Sequence, residues 1–296
     1  MSDAYNQLLE AAIHHLESLK QQGVRFVSVR PESLAALAQP VSRRATMVSP
    51  MATSPVAATR AARPVASPAL PTPKPTPAPM PKATPVVSDP AKVAAFEELR
   101  GRAMVCVRCP NLASSRKNVV FGVGNIESPL MFVGEAPGAD EDEQGEPFVG
   151  KAGQLLTKII QTMGLQRETV YIANILKCRP DTPGQNAGNR KPTPQEMETC
   201  IPYLHEQIDL IKPKVLVALG GTAVEGLLGK TVGITKLRGQ WQTYRNIPLM
   251  PTYHPAYLLR NQALGEKRKV WEDMLAVMEK LGMPVSEKQR NFFLKA

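Results

Sequence analysis

Short apolar runs recur along the C-terminal part of the chain: Leu130–Val133, Val170–Leu176, Val215–Leu219 and Ile247–Met250. Runs of this length, apolar at nearly every position, predict strands buried on both faces. Helical spacing fills the gaps between them. Residues 152–164 carry Leu155, Leu156, Ile159, Ile160 and Met163 on one side and stop at Gly164. Thr193-Pro194-Gln195-Glu196 opens another helix, with Pro at the first position and an acid placed for a capping box. Further helices are predicted over residues 91–102, from Gly220-Gly221-Thr222 to Leu228, and over Lys269–Leu281. Residues 118–124 read as an additional strand, and Trp241–Tyr244 with Ile247–Met250 as a hairpin around Arg245-Asn246. Alternating strands and helices predict an α/β domain: a three-layer α/β/α arrangement with a central, mainly parallel four-stranded sheet.

The N-terminal third follows different rules. Ala4–Gln22 places Tyr5, Leu8, Leu9, Ala12, Ile13, Leu16 and Leu19 at helical spacing, an amphipathic helix able to dock on the core or on a protein partner. Residues 24–29 read as a short extended segment. Thirteen of the 28 prolines then fall between Pro40 and Pro90, among Ala, Thr and Ser and with no aromatic residue. Such a stretch cannot bury enough apolar surface to offset the entropy of ordering, so a disordered, partly polyproline linker is expected. The predicted organisation is a helix and extended segment over residues 1–30, a linker over 31–90 and the folded α/β domain over 91–296.

The formal net charge is +10, shared between the tail and the folded part. A basic domain favours polyanionic partners, chiefly nucleic acid. No apolar run has the length of a membrane span and the N-terminus lacks the order of a signal peptide, so a cytoplasmic, monomeric protein is expected, associated with the nucleoid in a prokaryote. Four cysteines in that compartment suit a metal or a cluster better than disulfides. Cys106 and Cys109 form a CxxC pair, joined by Cys178 and Cys200; four thiolates can hold zinc or a 4Fe-4S cluster, and spacing does not separate the two.

Against that basic background, the loop after Val133 is densely acidic: Glu135, Asp140, Glu141, Asp142, Glu143 and Glu146, punctuated by Gly134, Pro137, Gly138, Gly145, Pro147 and Gly150. Loops beyond the carboxyl ends of parallel strands line the ligand crevice of open α/β sheets. The loops carrying Asn174 and His254 are expected at the same edge.

Gly134-Glu135-Ala136-Pro137-Gly138, Gly145-Glu146-Pro147-Phe148-Val149-Gly150, Asn174 four residues before Cys178, and His254-Pro255-Ala256 together resemble the family 4, iron-sulfur uracil-DNA glycosylases over residues 103–281. The resemblance implies a monofunctional N-glycosyl hydrolase acting on uracil in single- or double-stranded DNA, with a 4Fe-4S cluster on Cys106, Cys109, Cys178 and Cys200. It implies a pocket built from Glu135, Ala136, Gly138, Phe148, Asn174 and His254. Phe148 supplies a flat surface, Asn174 a donor and an acceptor for the uracil edge, and His254 a hydrogen bond to O2 as negative charge grows there. Ala136 stands where other uracil glycosylases carry an Asp. Of the loop acids, the resemblance matches Glu141 to a pocket-lining residue that orients water or excludes a thymine methyl, with Asp140 and Asp142 as alternatives. Lys151, Arg179, Arg190, Lys191, Arg238 and Arg260 are candidate DNA contacts, and residues 257–260 a candidate wedge. Two rival readings are a non-catalytic iron-sulfur or zinc DNA-binding module and a cross-linking relative that captures the sugar through a loop histidine. Residues 179–199 contain no histidine.

Overall fold

A computed structural model of the chain describes residues 89–180, 190–229 and 232–294. They belong to a compact unit spanning Pro79–Ala296. The N-terminal helix and most of the linker predicted above lie outside the described residues, as does most of the loop between Arg179 and Lys191.

The sheet has six strands in the order β1 (Val123–Gly124), β3 (Tyr171–Asn174), β2 (Leu130–Gly134), β4 (Val215–Leu219), β6 (Ile247–Thr252), β5 (Gln242–Tyr244). The four central strands are parallel and are the four apolar runs of the sequence. Each edge carries one short antiparallel strand, so the sheet is wider than the four strands predicted. At one edge Arg245 and Asn246 both have positive φ, 48° and 64°, which gives the turn the twist that suits a two-residue hairpin. At the other edge only Val123 and Gly124 of the predicted 118–124 strand pair, because Gly122 and Gly124 at φ 147° and 120° bend the chain out of ladder geometry.

Helices cover both faces. On one side α1 (Pro90–Met104), capped by Asp89, and α5 (Pro194–Ile211), capped reciprocally by Thr193 and Glu196, bury Phe96, Leu99, Met197, Tyr203, Leu204 and Ile208 against alternate strand residues. On the other, α4 (Lys151–Thr162) and α9 (Leu264–Lys280) bury Leu156, Ile160, Trp271, Met274 and Met278. One short helix at the C-terminus was missed: Glu287–Arg290 opens on a Ser286/Gln289 capping box, and the Gln289 carbonyl accepts from the Trp271 indole N–H at 2.5 Å. The acidic loop also contains a helical turn, α3 (Ala139–Gln144).

The winding places the crevice. From β2 the chain moves to β3 on one side and afterwards to β4 on the other, so the loops leaving β2 and β3 part from those leaving β4 and β6 just above β2. A ligand site is expected at such a switch point.

Candidate active site

The carboxyl ends of all four parallel strands contribute to one small region. Gly134 ends β2 and pairs with Asn174, which ends β3. A Cβ at Gly134 would stand 2.3 Å from Asn174 Oδ1 and 2.5 Å from Phe148 Cζ, so amide and ring meet over the glycine. From the other half, Gly220 after β4 lets His254 close in: a Cβ there would lie 2.9 Å from His254 Cβ. The His254 and Phe148 rings stack, with centroids 5.6 Å apart and planes at 30°.

Each group is held from behind. Phe148 has φ 54°, a conformation that costs a bulky residue of order 1–3 kcal/mol and persists only where its surroundings impose it. Those surroundings are visible. Glu141 accepts from Gly138 N–H at 3.1 Å through one carboxylate oxygen and from Val149 and Gly150 N–H, both at 3.0 Å, through the other. Arg167 donates to the Pro147 carbonyl, and Gly153 leaves room for the Phe148 carbonyl where a Cβ would collide at 1.8 Å. Asp142, 3% exposed, accepts from the main-chain N–H groups of Lys117 and Asn118 and ties α3 to the preceding segment.

Asn174 is 2% exposed, and its Oδ1 is buried with no hydrogen-bond partner among the described residues. Buried acceptors are rarely left so, because an unmade bond costs the desolvation of the group. A donor brought by a ligand would satisfy it.

His254 caps the short helix α8 (Pro255–Arg260): the Ala256 N–H donates to its Nδ1 at 3.1 Å. With Nδ1 accepting, the neutral ring carries its proton on Nε2. Burial, and secondarily the Arg260 charge, lowers the imidazole to about 4, so the ring is neutral at physiological pH. The strand end beneath it is pinned by Thr252, which donates to Asp273 at 2.6 Å. Asp273 is 1% exposed and also pairs with Arg238.

All four cysteines line one small cavity of about 20 Å³, together with Leu112, Leu176 and Thr199. Arg116 Nη1 donates to Cys178 Sγ at 3.1 Å and Lys177 N–H to Cys200 Sγ at 3.3 Å. Burial raises the Cys178 thiol, and pushes that of Cys200 up to about 12. Among the described residues no three Cys, His, Asp or Glu side chains converge at the spacing of a single-ion site.

Residues 121–275 match the model of the uracil DNA glycosylase superfamily. The type-4 uracil-DNA glycosylase of Thermotoga maritima is 46% identical over 183 residues, covering 60% of this chain and 91% of that protein. This chain belongs to the type-4 uracil-DNA glycosylases. Those of Sulfurisphaera tokodaii and Archaeoglobus fulgidus are 38% and 37% identical, over 90% and 98% of their lengths.

In this type-4 chain Phe148, Asn174 and His254 of the predicted pocket come together around Gly134. Ala136 packs against the core, and the main-chain carbonyl of Glu135 accepts from Leu176 N–H at 3.1 Å. Gly138 is the cap of α3. Of the basic candidates, Arg238 is committed to Asp273 and the Lys269 carbonyl, Arg190 pairs with Glu196 at 2.6 Å and Lys191 with Glu225 at 2.6 Å, whereas Lys151 and Arg260 are exposed. Arg167, which holds the Pro147 carbonyl, and Asp273, which holds Thr252, brace these elements and were missed, since a single polar residue whose partner lies far away in the chain leaves no local pattern. A separate cavity of about 520 Å³, between α1 and β1, is lined by Phe96, Arg100, Gly122 and Glu146 and contains none of Phe148, Asn174 and His254. No described helix is long and apolar enough to cross a membrane.

Proposed function

We infer that the chain removes uracil from DNA, accepting a flipped nucleotide and hydrolysing its N-glycosidic bond to leave an abasic site, the opening step of base excision repair. The orphaned Asn174 Oδ1 beside the Phe148 ring carries this reading. Uracil offers an N3–H to that acceptor and an O4 to the amide N–H; cytosine reverses both and would leave buried groups unpaired, at about 1–3 kcal/mol each. As the bond breaks, negative charge grows on the base, and the neutral His254 presents a donor at Nε2 for O2. Glu141 and Asp142 both accept main-chain N–H bonds, so we give Glu141 a positioning role, holding Phe148, in place of the water-activating role its sequence position suggested. In the 257–260 run, Leu258 is buried and Leu259 exposed, which favours Leu259 as the wedge that fills the emptied stack.

Cys106, Cys109, Cys178 and Cys200 fit a 4Fe-4S cluster. Four thiols arrayed around one cavity suit a body wider than a single ion, and two N–H groups aimed at sulfur favour the thiolate form. Held by these residues, such a cluster would supply a structural tie between the CxxC loop and α5.

Purified anaerobically, the protein is expected to be brown, and to render a uracil-containing oligonucleotide alkali-labile, single- or double-stranded. Absence of scission from every uracil substrate overturns the enzyme reading and favours a binding module; a colourless, zinc-loaded and fully active protein overturns the cluster. Gly134→Ala tests the pocket itself: the methyl displaces the Asn174 amide and the Phe148 ring, both movable side-chain ends, so a folded protein with about 100-fold slower excision is expected.

A further inference from the structure

Directly behind the base pocket lies a buried ammonium that the chemistry above does not use. Lys177 is 2% exposed. Its Nζ donates to the main-chain carbonyl of Asn174 at 2.9 Å and to Gln207 Oε1 at 2.7 Å, and it sits 5.9 Å from the Phe121 ring centroid. Gln207, itself fully buried, passes the constraint on: its Nε2 donates to the Phe121 carbonyl at 3.0 Å and to the Tyr171 hydroxyl at 3.1 Å. The main chain of Lys177 is fixed at both ends, its N–H on Cys200 Sγ and its carbonyl accepting from Val120 N–H at 2.8 Å.

A charged lysine in a protein interior is costly, and an apolar side chain of similar volume would fill the same space without that cost. Its placement therefore calls for a role that needs a strong, directional donor. The parallel ladder fixes Asn174 through Gly134, and Ile175 N–H bonds the Gly134 carbonyl, but the Asn174 carbonyl has Lys177 as its partner. Rotation of the peptide that follows Asn174 would swing the amide side chain relative to Phe148.

We propose that Lys177, braced by Gln207, is a positioning residue for base recognition: by gripping the Asn174 carbonyl it fixes the orientation of the amide that reads uracil, and it joins the pocket to the cysteine-bearing segment. This rests on the uracil-excising role proposed above.

The test compares Lys177→Met and Gln207→Met with the unmodified full chain. Single-turnover excision, inhibition by free uracil and binding to an abasic-site oligonucleotide are measured beside near-ultraviolet circular dichroism. Lys177→Met is expected to fold, to excise about 10- to 100-fold more slowly and to be inhibited less by free uracil, with abasic-DNA binding unchanged, because the DNA grip lies elsewhere. Gln207→Met, which frees the brace alone, is expected to move the same two readouts in the same direction by less. A folded Lys177→Met at the unmodified rate overturns the proposal, as does a loss of abasic-DNA binding in proportion to excision, the mark of a merely structural residue. If Lys177→Met does not fold, Gln207→Met decides, and an unchanged rate and uracil inhibition in it overturn the proposal. An unmodified chain that excises no uracil sinks the functional reading instead, which keeps the two failures apart.

Discussion

Replacing Asn174 with alanine is expected to slow single-turnover excision of uracil by about a hundred- to a thousandfold, the loss typical when one preorganised hydrogen-bonding group is removed from a water-excluded site. Stability should change little. The Asn174 Oδ1 has no partner among the described residues, so its removal breaks no bond there through that atom and relieves a buried, unsatisfied acceptor. Inhibition by free uracil should weaken in parallel, while binding to an abasic-site oligonucleotide, which lacks the base edge, should persist. A variant that loses abasic-DNA binding as steeply as excision would show that Asn174 organises the loop rather than reads the base. Melting by circular dichroism and a single-turnover assay on one oligonucleotide distinguish these outcomes.

The residues we propose to act on the base stand out in the sequence, and the residues that hold them do not. Gly134, Asn174 and His254 lie at or just beyond the end of a buried strand, a position visible in one dimension and meaningful because strand ends in a parallel sheet share an edge, and Phe148 stands in the glycine-punctuated loop that follows the first of them. The four buried strands were legible for the same reason. Both edge strands depend on backbone conformation: the hairpin was readable from Arg245-Asn246, but the near-loss of the 118–124 strand follows from two positive-φ glycines that no hydrophobic pattern reports. Lys177 follows Ile175 and Leu176, outside any alternation, and its partners Gln207 and Tyr171 come from other elements. The acidic loop misled because carboxylates beside a strand suggest hydrolytic chemistry. In the fold, Glu141 and Asp142 spend their oxygens on main-chain N–H groups, a use that requires knowing how the loop closes on itself.

For His254 the expectation joins rate to pH. His254→Ala removes the Nε2 donor and should lower the single-turnover rate about a hundred- to a thousandfold, with substrate binding affected far less, since the bond strengthens as charge grows on the base. The unmodified enzyme should show no change of rate through the ordinary histidine range. Burial holds the folded-state imidazole at about 4, below its usual 6.5, so the ring is already neutral on both sides of that range. Stability carries the opposite signature. Between about 6.5 and about 4 the unfolded chain binds a proton that the folded chain refuses, so His254 favours the folded state fully above about 6.5 and loses that contribution as the pH falls toward 4. His254→Ala should therefore flatten part of the fall in melting temperature over that window. An excision rate in the unmodified enzyme that halves near pH 6.5 on a single ionisation abolished by His254→Ala would mean that His254 works by changing its charge, and the neutral-donor assignment would be wrong.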